Sequence, residues 1–135
     1  MRIVIDTNVV ASAVFFGGRP EELLRKVLNH EVSAVATEEI IEEYQKTLNY
    51  LAEKCKGKST VLSAVPIISA MELILSDTRV DICRDPDDNK FISCALDGRC
   101  FYIVSGDKDL LTIKNHLGVQ IVTVAEFLEI LLQEK

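Results

Sequence analysis

The chain has no surplus of positive charge: 15 lysines and arginines stand against 21 aspartates and glutamates, a net of −6 over 135 residues. A broad basic surface of the kind that grips nucleic-acid phosphates is therefore excluded, although an enzyme that meets phosphates through bound divalent cations is not. There is no C-x-x-C pair, which argues against a zinc site. The four cysteines, Cys55, Cys83, Cys94 and Cys100, read as reduced and mostly buried thiols rather than as a disulfide framework. Long apolar runs are missing as well. The opening stretch is cut by Asp6 and Asn8, and Val61–Leu75 is interrupted by Pro66, Glu72 and serines, too soon for a signal segment or a membrane span. The expected location is the cytoplasm, with no membrane partner. No repeat, linker or low-complexity tract divides the chain. With 48% hydrophobic and 27% charged residues it predicts a single domain over 1–135 that needs neither disulfide nor structural metal.

What is present is an alternation of short Val/Ile-rich runs with longer segments of helical period, the pattern of an α/β protein with a mainly parallel sheet. Five strands are expected, at about Arg2–Asp6, Val32–Ala36, Arg79–Cys83, Phe101–Ser105 and Val119–Val122. Helices are expected from Asn8 to Phe15, from Pro20 to Asn29, from a Thr37 N-cap past Tyr50, from Asp87 to Leu96, from Asp107 to His116, and after Thr123. Lys54–Lys58 reads as a loop. A second helical segment to about Ser76, kinked near Pro66, implies a projecting helical hairpin. The Thr123-Val124-Ala125-Glu126 sequence is a capping box, and Ala125, Leu128 and Leu132 form the stripe of the last helix.

The acids are not scattered evenly. In an open α/β sheet ligands bind beyond the carboxyl ends of the strands, so polar residues there carry functional weight. Asp6 ends the first strand directly after Ile3-Val4-Ile5, where a carboxylate is partly desolvated; the plainer alternative is a helix cap. Asp85-Pro86-Asp87-Asp88-Asn89-Lys90 follows the third expected strand, and Ser105-Gly106-Asp107-Lys108-Asp109 follows the fourth, with Gly106 permitting a tight turn. Together they place Asp6, Asp88 and Asp107 on one edge of the sheet. Oxygen ligands without nearby histidine or cysteine suit Mg²⁺ or Mn²⁺. On the helix after Thr37, Ile40, Tyr44, Leu48 and Leu51 mark the apolar stripe. Glu43 lies at its edge and Glu42 nearly opposite, which leaves Glu43 open between the crevice and the solvated face.

These segments resemble the PIN domain, a family of metal-dependent nucleases that includes VapC-type toxins of toxin–antitoxin systems. The resemblance spans nearly the whole chain. It rests on Ile5-Asp6-Thr7-Asn8-Val9, on Glu39 to Leu48, on Cys83 to Phe91 and on Val104 to Leu111. It implies a three-layer α/β/α, Rossmann-like fold with a five-stranded, mainly parallel sheet of order 3-2-1-4-5, in which Asp6 and Asp107 face each other. It also implies an acidic quartet of Asp6, Glu43, Asp88 and Asp107 as catalytic and metal-holding residues, with Asp109 as a candidate extra ligand. Asn8 and Ser105 match positions that hold the acids, and Asp85 and Asp87 become turn and cap residues. The implied activity is endoribonuclease hydrolysis of phosphodiesters in single-stranded or structured RNA, with Mg²⁺ or Mn²⁺ as cofactor. Implied partners are an antitoxin protein and a second copy in a homodimer. Arg19, Arg84, Lys90, Lys108 and the Lys54/Lys56/Lys58 loop are candidates to guide the strand.

Two other enzyme-like classes fit less well. A haloacid-dehalogenase-type phosphatase wants a second Asp where Asn8 stands. A receiver domain wants paired acids after the first strand and a lysine after the last, which Gln120-Ile121-Val122-Thr123-Val124 does not supply. The remaining alternative is a catalytically silent PIN-like module used for binding or assembly.

Overall fold

The computed structural model describes residues 1–56 and 58–134. Its first strand, β1 (Arg2–Ile5), is a continuous apolar run in which Ile3, Val4 and Ile5 have no exposed surface. That is the signature of a parallel strand covered on both faces, and each such side chain contributes about 1.5–3 kcal/mol by leaving water. Helices α1 (Thr7–Phe15) and α2 (Gly18–Leu28) lead to β2 (Ser33–Ala36), which pairs parallel with β1. Helix α3 (Glu38–Lys54) starts at Thr37, whose hydroxyl accepts the Ile40 amide at 3.3 Å. Its buried face is Ile40, Tyr44 and Leu48, as the stripe predicted, with Leu51 half-buried.

The next region departs from expectation. The expected loop Lys54–Lys58 includes Gly57, which lies outside the described residues. In place of a projecting helical hairpin there is one short helix, α4 (Ala64–Ala70), packed on α2 through a region that buries Ile67 completely. The third strand is not Arg79–Cys83. It is β3 (Glu72–Leu73), whose residues pair parallel with Val35 and Ala36. The backbone of the expected strand is satisfied by side chains instead: Asn89 Oδ1 accepts the amides of Ile82 and Cys83 at 3.1 and 3.0 Å.

A 3-10 turn (Pro86–Asp88) then runs into α5 (Asn89–Asp97), which lies against β1, β2 and, further on, β4 (Tyr102–Val104). Helix α6 (Lys108–Ile113) is shorter than expected, because Asn115 and His116 form a strand, β5, antiparallel to β6 (Val119–Val122). Leu117 and Gly118 link them with φ of 49° and 88°, the two-residue turn that matches strand twist. Helix α7 (Val124–Gln133) opens with the expected capping box, Thr123 and Glu126 exchanging bonds of 2.9 and 3.1 Å. The stripe read for it is displaced: Phe127 and Leu128 are buried, whereas Ala125 and Leu132 face solvent.

The sheet order is β3-β2-β1-β4-β6-β5, and every pairing but β5–β6 is parallel. The five parallel strands thus follow the expected 3-2-1-4-5 order in a helix-flanked sheet, with one antiparallel edge strand added. Strand order turns around between β1 and β4, one neighbour reached before and the other after the long central excursion. In parallel sheets that switch point opens a crevice at the carboxyl ends, and Asp6 and Ser105 stand at its two lips.

Candidate metal centre

Asp6 occupies the N-cap position of α1 with extended backbone, and its amide donates to Val104 O at 2.9 Å, sealing β1 to β4 at the tip. Its side chain does not cap the helix. It is buried and accepts the Ser105 hydroxyl at 2.6 Å, while Ser105 Oγ in turn accepts the Asp107 amide at 3.0 Å. One serine therefore fixes two acids from two strands. Burial pushes the Asp6 carboxyl above its ordinary value. The Ser105 hydroxyl and the Thr7 amide pull it back, and the charges of Asp107 and Glu43 push it up again.

Asp107 caps α6 through one oxygen, which accepts the Asp109 amide at 3.2 Å. Gly106 before it has no left-handed φ, and a Cβ there would meet nothing within 4 Å, so the turn does not require glycine. Asp88 stands at the start of α5 and makes no capping bond. Its carboxyl is pushed up from 3.8 to about 7, first by burial, then by sharing a hydrogen bond with Asp107, then by the charges of Asp107, Asp6 and Asp85. Asp6, Asp88 and Asp107, from three separate elements, therefore feel one another's charge. In a group of carboxylates so placed, one ionises only at a cost that a nearby cation removes.

Glu43 is placed by its neighbour. Tyr44 is fully buried on α3, and its hydroxyl donates to the Ile5 carbonyl at the tip of β1, which brings Glu43 over the start of α1. Both Glu43 oxygens are engaged: Oε2 accepts the Thr7 hydroxyl, and Oε1 lies 2.6 Å from Lys90 Nζ. Burial by itself would lower the Lys90 ammonium, but Glu43 and Asp87 more than offset it and hold it above its ordinary value.

The remaining predicted residues divide. Asp85, expected as a turn residue, also caps the 3-10 turn by accepting the Asp87 amide at 3.0 Å, whereas Asp87, expected as a cap, is a Lys90 partner. Asp109 faces Arg84 at 3.9 Å on the rim, and Asn8 is exposed. Lys90, expected to guide a nucleic-acid strand, is half-buried, with its side chain paired to Glu43 and Asp87. Sequence reasoning missed Thr7 and the pairing of Lys90 with Glu43. The only signal for the latter was a lysine two residues after a site aspartate.

Clefts flank the acids on both sides. One of about 580 Å³ is lined by Asn8, Ser12, Pro20, Asp107, Lys108 and Val124, and another of about 440 Å³ by Glu39, Arg79, Asp87 and Lys90 among others. A family model of the PIN domain matches residues 2–109, which include all four acids of the expected quartet. The chain belongs to the PIN domain family. The uncharacterized protein MJ1680 of Methanocaldococcus jannaschii is 30% identical over 141 residues, covering 96% of this chain and 90% of the relative. No solved structure matches.

PIN domains are a nuclease-type family that generally uses divalent metals. The donor chemistry here suits a hard cation: oxygen ligands, one of them a carboxyl that burial, and then its acidic neighbours, keep from ionising normally. The side chains do not form a ready-made coordination shell, since no group of three or more acidic, histidine or cysteine side chains stands in metal-holding geometry among the described residues. Uptake of an ion at Asp6, Asp88 and Asp107 thus requires side-chain rotation.

The three thiols with clear shifts are held in the protonated form at neutral pH. Burial first, then nearby carboxylates, pushes Cys83 to about 11; burial, then Cys100, pushes Cys94 to about 12; and burial pushes Cys100 to about 11 against the pull of Arg2. All four cysteines are free, as expected, and two of them, Cys94 and Cys100, are fully buried. No helix among the described residues is long and apolar enough to cross a membrane.

Proposed function

We propose that this PIN domain is a metal-dependent endoribonuclease that hydrolyses phosphodiesters of single-stranded RNA, acting as the toxin of a toxin–antitoxin pair. The observation that carries the metal-dependent nuclease reading is the mutual crowding of Asp6, Asp88 and Asp107 at the β1/β4 switch point, with Asp88 held near 7 and given no compensating donor. RNA as the substrate and the toxin role rest on the resemblance to VapC-type proteins. A bound Mg²⁺ or Mn²⁺ supplies a water acidic enough to attack at neutral pH and neutralises charge on the phosphate. Asp6, Asp88 and Asp107 would hold it. Ser105 keeps Asp6 and Asp107 in register, and Asp109 stands at the rim as the extra acid. With a net charge of −6, the chain repels a bare RNA backbone, so the strand reaches the site only through the cation and local bases such as Lys108 in the cleft beside Asp107. An antitoxin segment covering this groove and a second copy of the chain belong to the same proposal.

The test is cleavage of mixed RNA and DNA oligonucleotides by the pure protein with Mg²⁺ or Mn²⁺, beside Asp6→Asn. RNA cleavage that chelator abolishes and Asp6→Asn lacks is the expected result; equal cleavage by both proteins rejects the site. Expression without the neighbouring gene should arrest growth, and normal growth with folded protein present rejects the toxin role. The silent binding module draws on one observation, the lack of a preformed three-ligand group. A ligand of the native state raises its melting temperature, so absence of any Mn²⁺-induced rise favours that module.

A further inference from the structure

We propose that Lys90 is a built-in counter-ion: a positioning residue that occupies Glu43 and restricts the site to one divalent ion, held by Asp6, Asp88 and Asp107. The inference rests on the nuclease reading and refines the role of Glu43 within it. An ammonium has three N–H donors. Those of Lys90 have three acceptors in range: Glu43 Oε1 at 2.6 Å, Asp87 Oδ1 at 3.0 Å and the Asp87 carbonyl at 2.9 Å. Its side chain is only 8% exposed, so it is not a surface lysine free to swing into water. Glu43 is equally committed, its second oxygen taking the Thr7 hydroxyl.

A divalent ion entering at Glu43 would have to expel this ammonium or sit beside it. Expulsion removes the shortest of the three contacts of this ammonium and leaves it only Asp87, whose side chain is 69% exposed, and breaking such a pair by taking one partner away costs more than the pair itself contributes. Coexistence sets two cations on one carboxylate, and in a half-buried setting, with the Glu43 side chain 27% exposed, solvent screens their repulsion only in part. Among the described residues no ion pair engages Asp6, Asp88 or Asp107; the nearest bases, Lys108 in the cleft and Arg84 on Asp109, leave those three carboxylates unpaired. Glu43 then acts through Thr7 and Lys90 to fix the floor of the site, and the charge that a second metal would have supplied is already covalently present.

Calorimetric titration of the full chain with MnCl₂ tests this without reference to turnover. Wild type should bind one ion, Lys90→Arg one, and Lys90→Gln a second, weaker one. Two ions in wild type, or only one in folded Lys90→Gln, overturn the inference while leaving the nuclease reading intact. No ion in wild type overturns the nuclease reading itself. If Lys90→Gln does not fold, Glu43→Gln serves, because its amide oxygen still accepts from Lys90. It should keep one ion with affinity reduced by no more than about tenfold, the low end for a residue outside the ligand set, whereas loss of Mn²⁺ binding overturns the inference.

Discussion

An aspartate stands at each end of α5, and the two have opposite surroundings. Asp97, at the C-terminal end, accepts the Ser76 hydroxyl at 2.6 Å, the Asp77 and Thr78 amides at 3.0 Å each, and the Thr78 hydroxyl. These donors, Ser76 first, bring it down to about 2. Asp88, at the N-terminal end, has burial and carboxylates for company and is pushed up to about 7. The helix dipole predicts the reverse, favouring an acid at the N-terminus and opposing one at the C-terminus. It is worth typically about 0.3–1 kcal/mol, less than a tenfold change in acid strength, and about 2 kcal/mol at most. The difference between the two ends therefore comes from the immediate neighbours. An acid supplied with donors is part of the scaffold; an acid deprived of them and crowded by its own kind is arranged for something that binds.

The contrast breaks most visibly in turnover. Under the proposed function, Asp88→Asn should lower RNA cleavage by more than about a hundredfold, since it would remove a ligand from the cation proposed to activate water, while Asp97→Asn should leave the rate nearly unchanged; comparable losses in single-turnover assays would erase the distinction. Next comes the metal response. At about a hundredfold excess of Mn²⁺ over its Kd, wild type and Asp97→Asn should both melt roughly 8 °C higher, and Asp88→Asn should not.

The pH dependence of the metal-free protein sharpens the comparison further. Asp88 has a raised folded value, so its favourable contribution is complete below 3.8 and is lost as pH rises through about 7. Asp88→Asn should consequently be less sensitive than wild type between pH 4 and 8, and more stable at pH 8. Asp97 has a depressed value, so its contribution is present above 3.8 and disappears as pH falls toward 2. Thermal melts across that range separate the two signs, and parallel curves for both variants would refute the assignment. The smallest effect is Asp97→Ala at neutral pH, expected to cost about 1 kcal/mol by urea unfolding, a low figure because the site is open to solvent screening.

Much of this was legible in the sequence, and for identifiable reasons. β1, β4 and β6 are runs rich in Val and Ile and β2 a run of Ala and Val, all too short for helices, and Thr37 and Thr123 announce their helices by local hydrogen bonding that needs no tertiary context. The strand-end positions of Asp6 and Asp107 followed from the same pattern. Arg79–Cys83 misled because it has a β-like composition, whereas its amides at Ile82 and Cys83 are claimed by the Asn89 side chain, a choice that only the fold reveals. The exposed two-residue Glu72–Leu73 strand carries no alternation to detect. The β5–β6 hairpin was hidden because Leu117 takes the left-handed position where Asn or Asp would signal a turn. Lys90 was read as a surface base, since its pairing depends on a partner, Glu43, that lies far away in the chain.

The central claim is that Asp88 is kept short of compensating charge until a cation arrives. Carbon-detected NMR titration of the Asp88 carboxyl, without and with saturating Mg²⁺, addresses it directly. The account predicts a midpoint near 7 without metal and a drop below the ordinary carboxylate value when Mg²⁺ is present. An ordinary midpoint that Mg²⁺ does not move would contradict it.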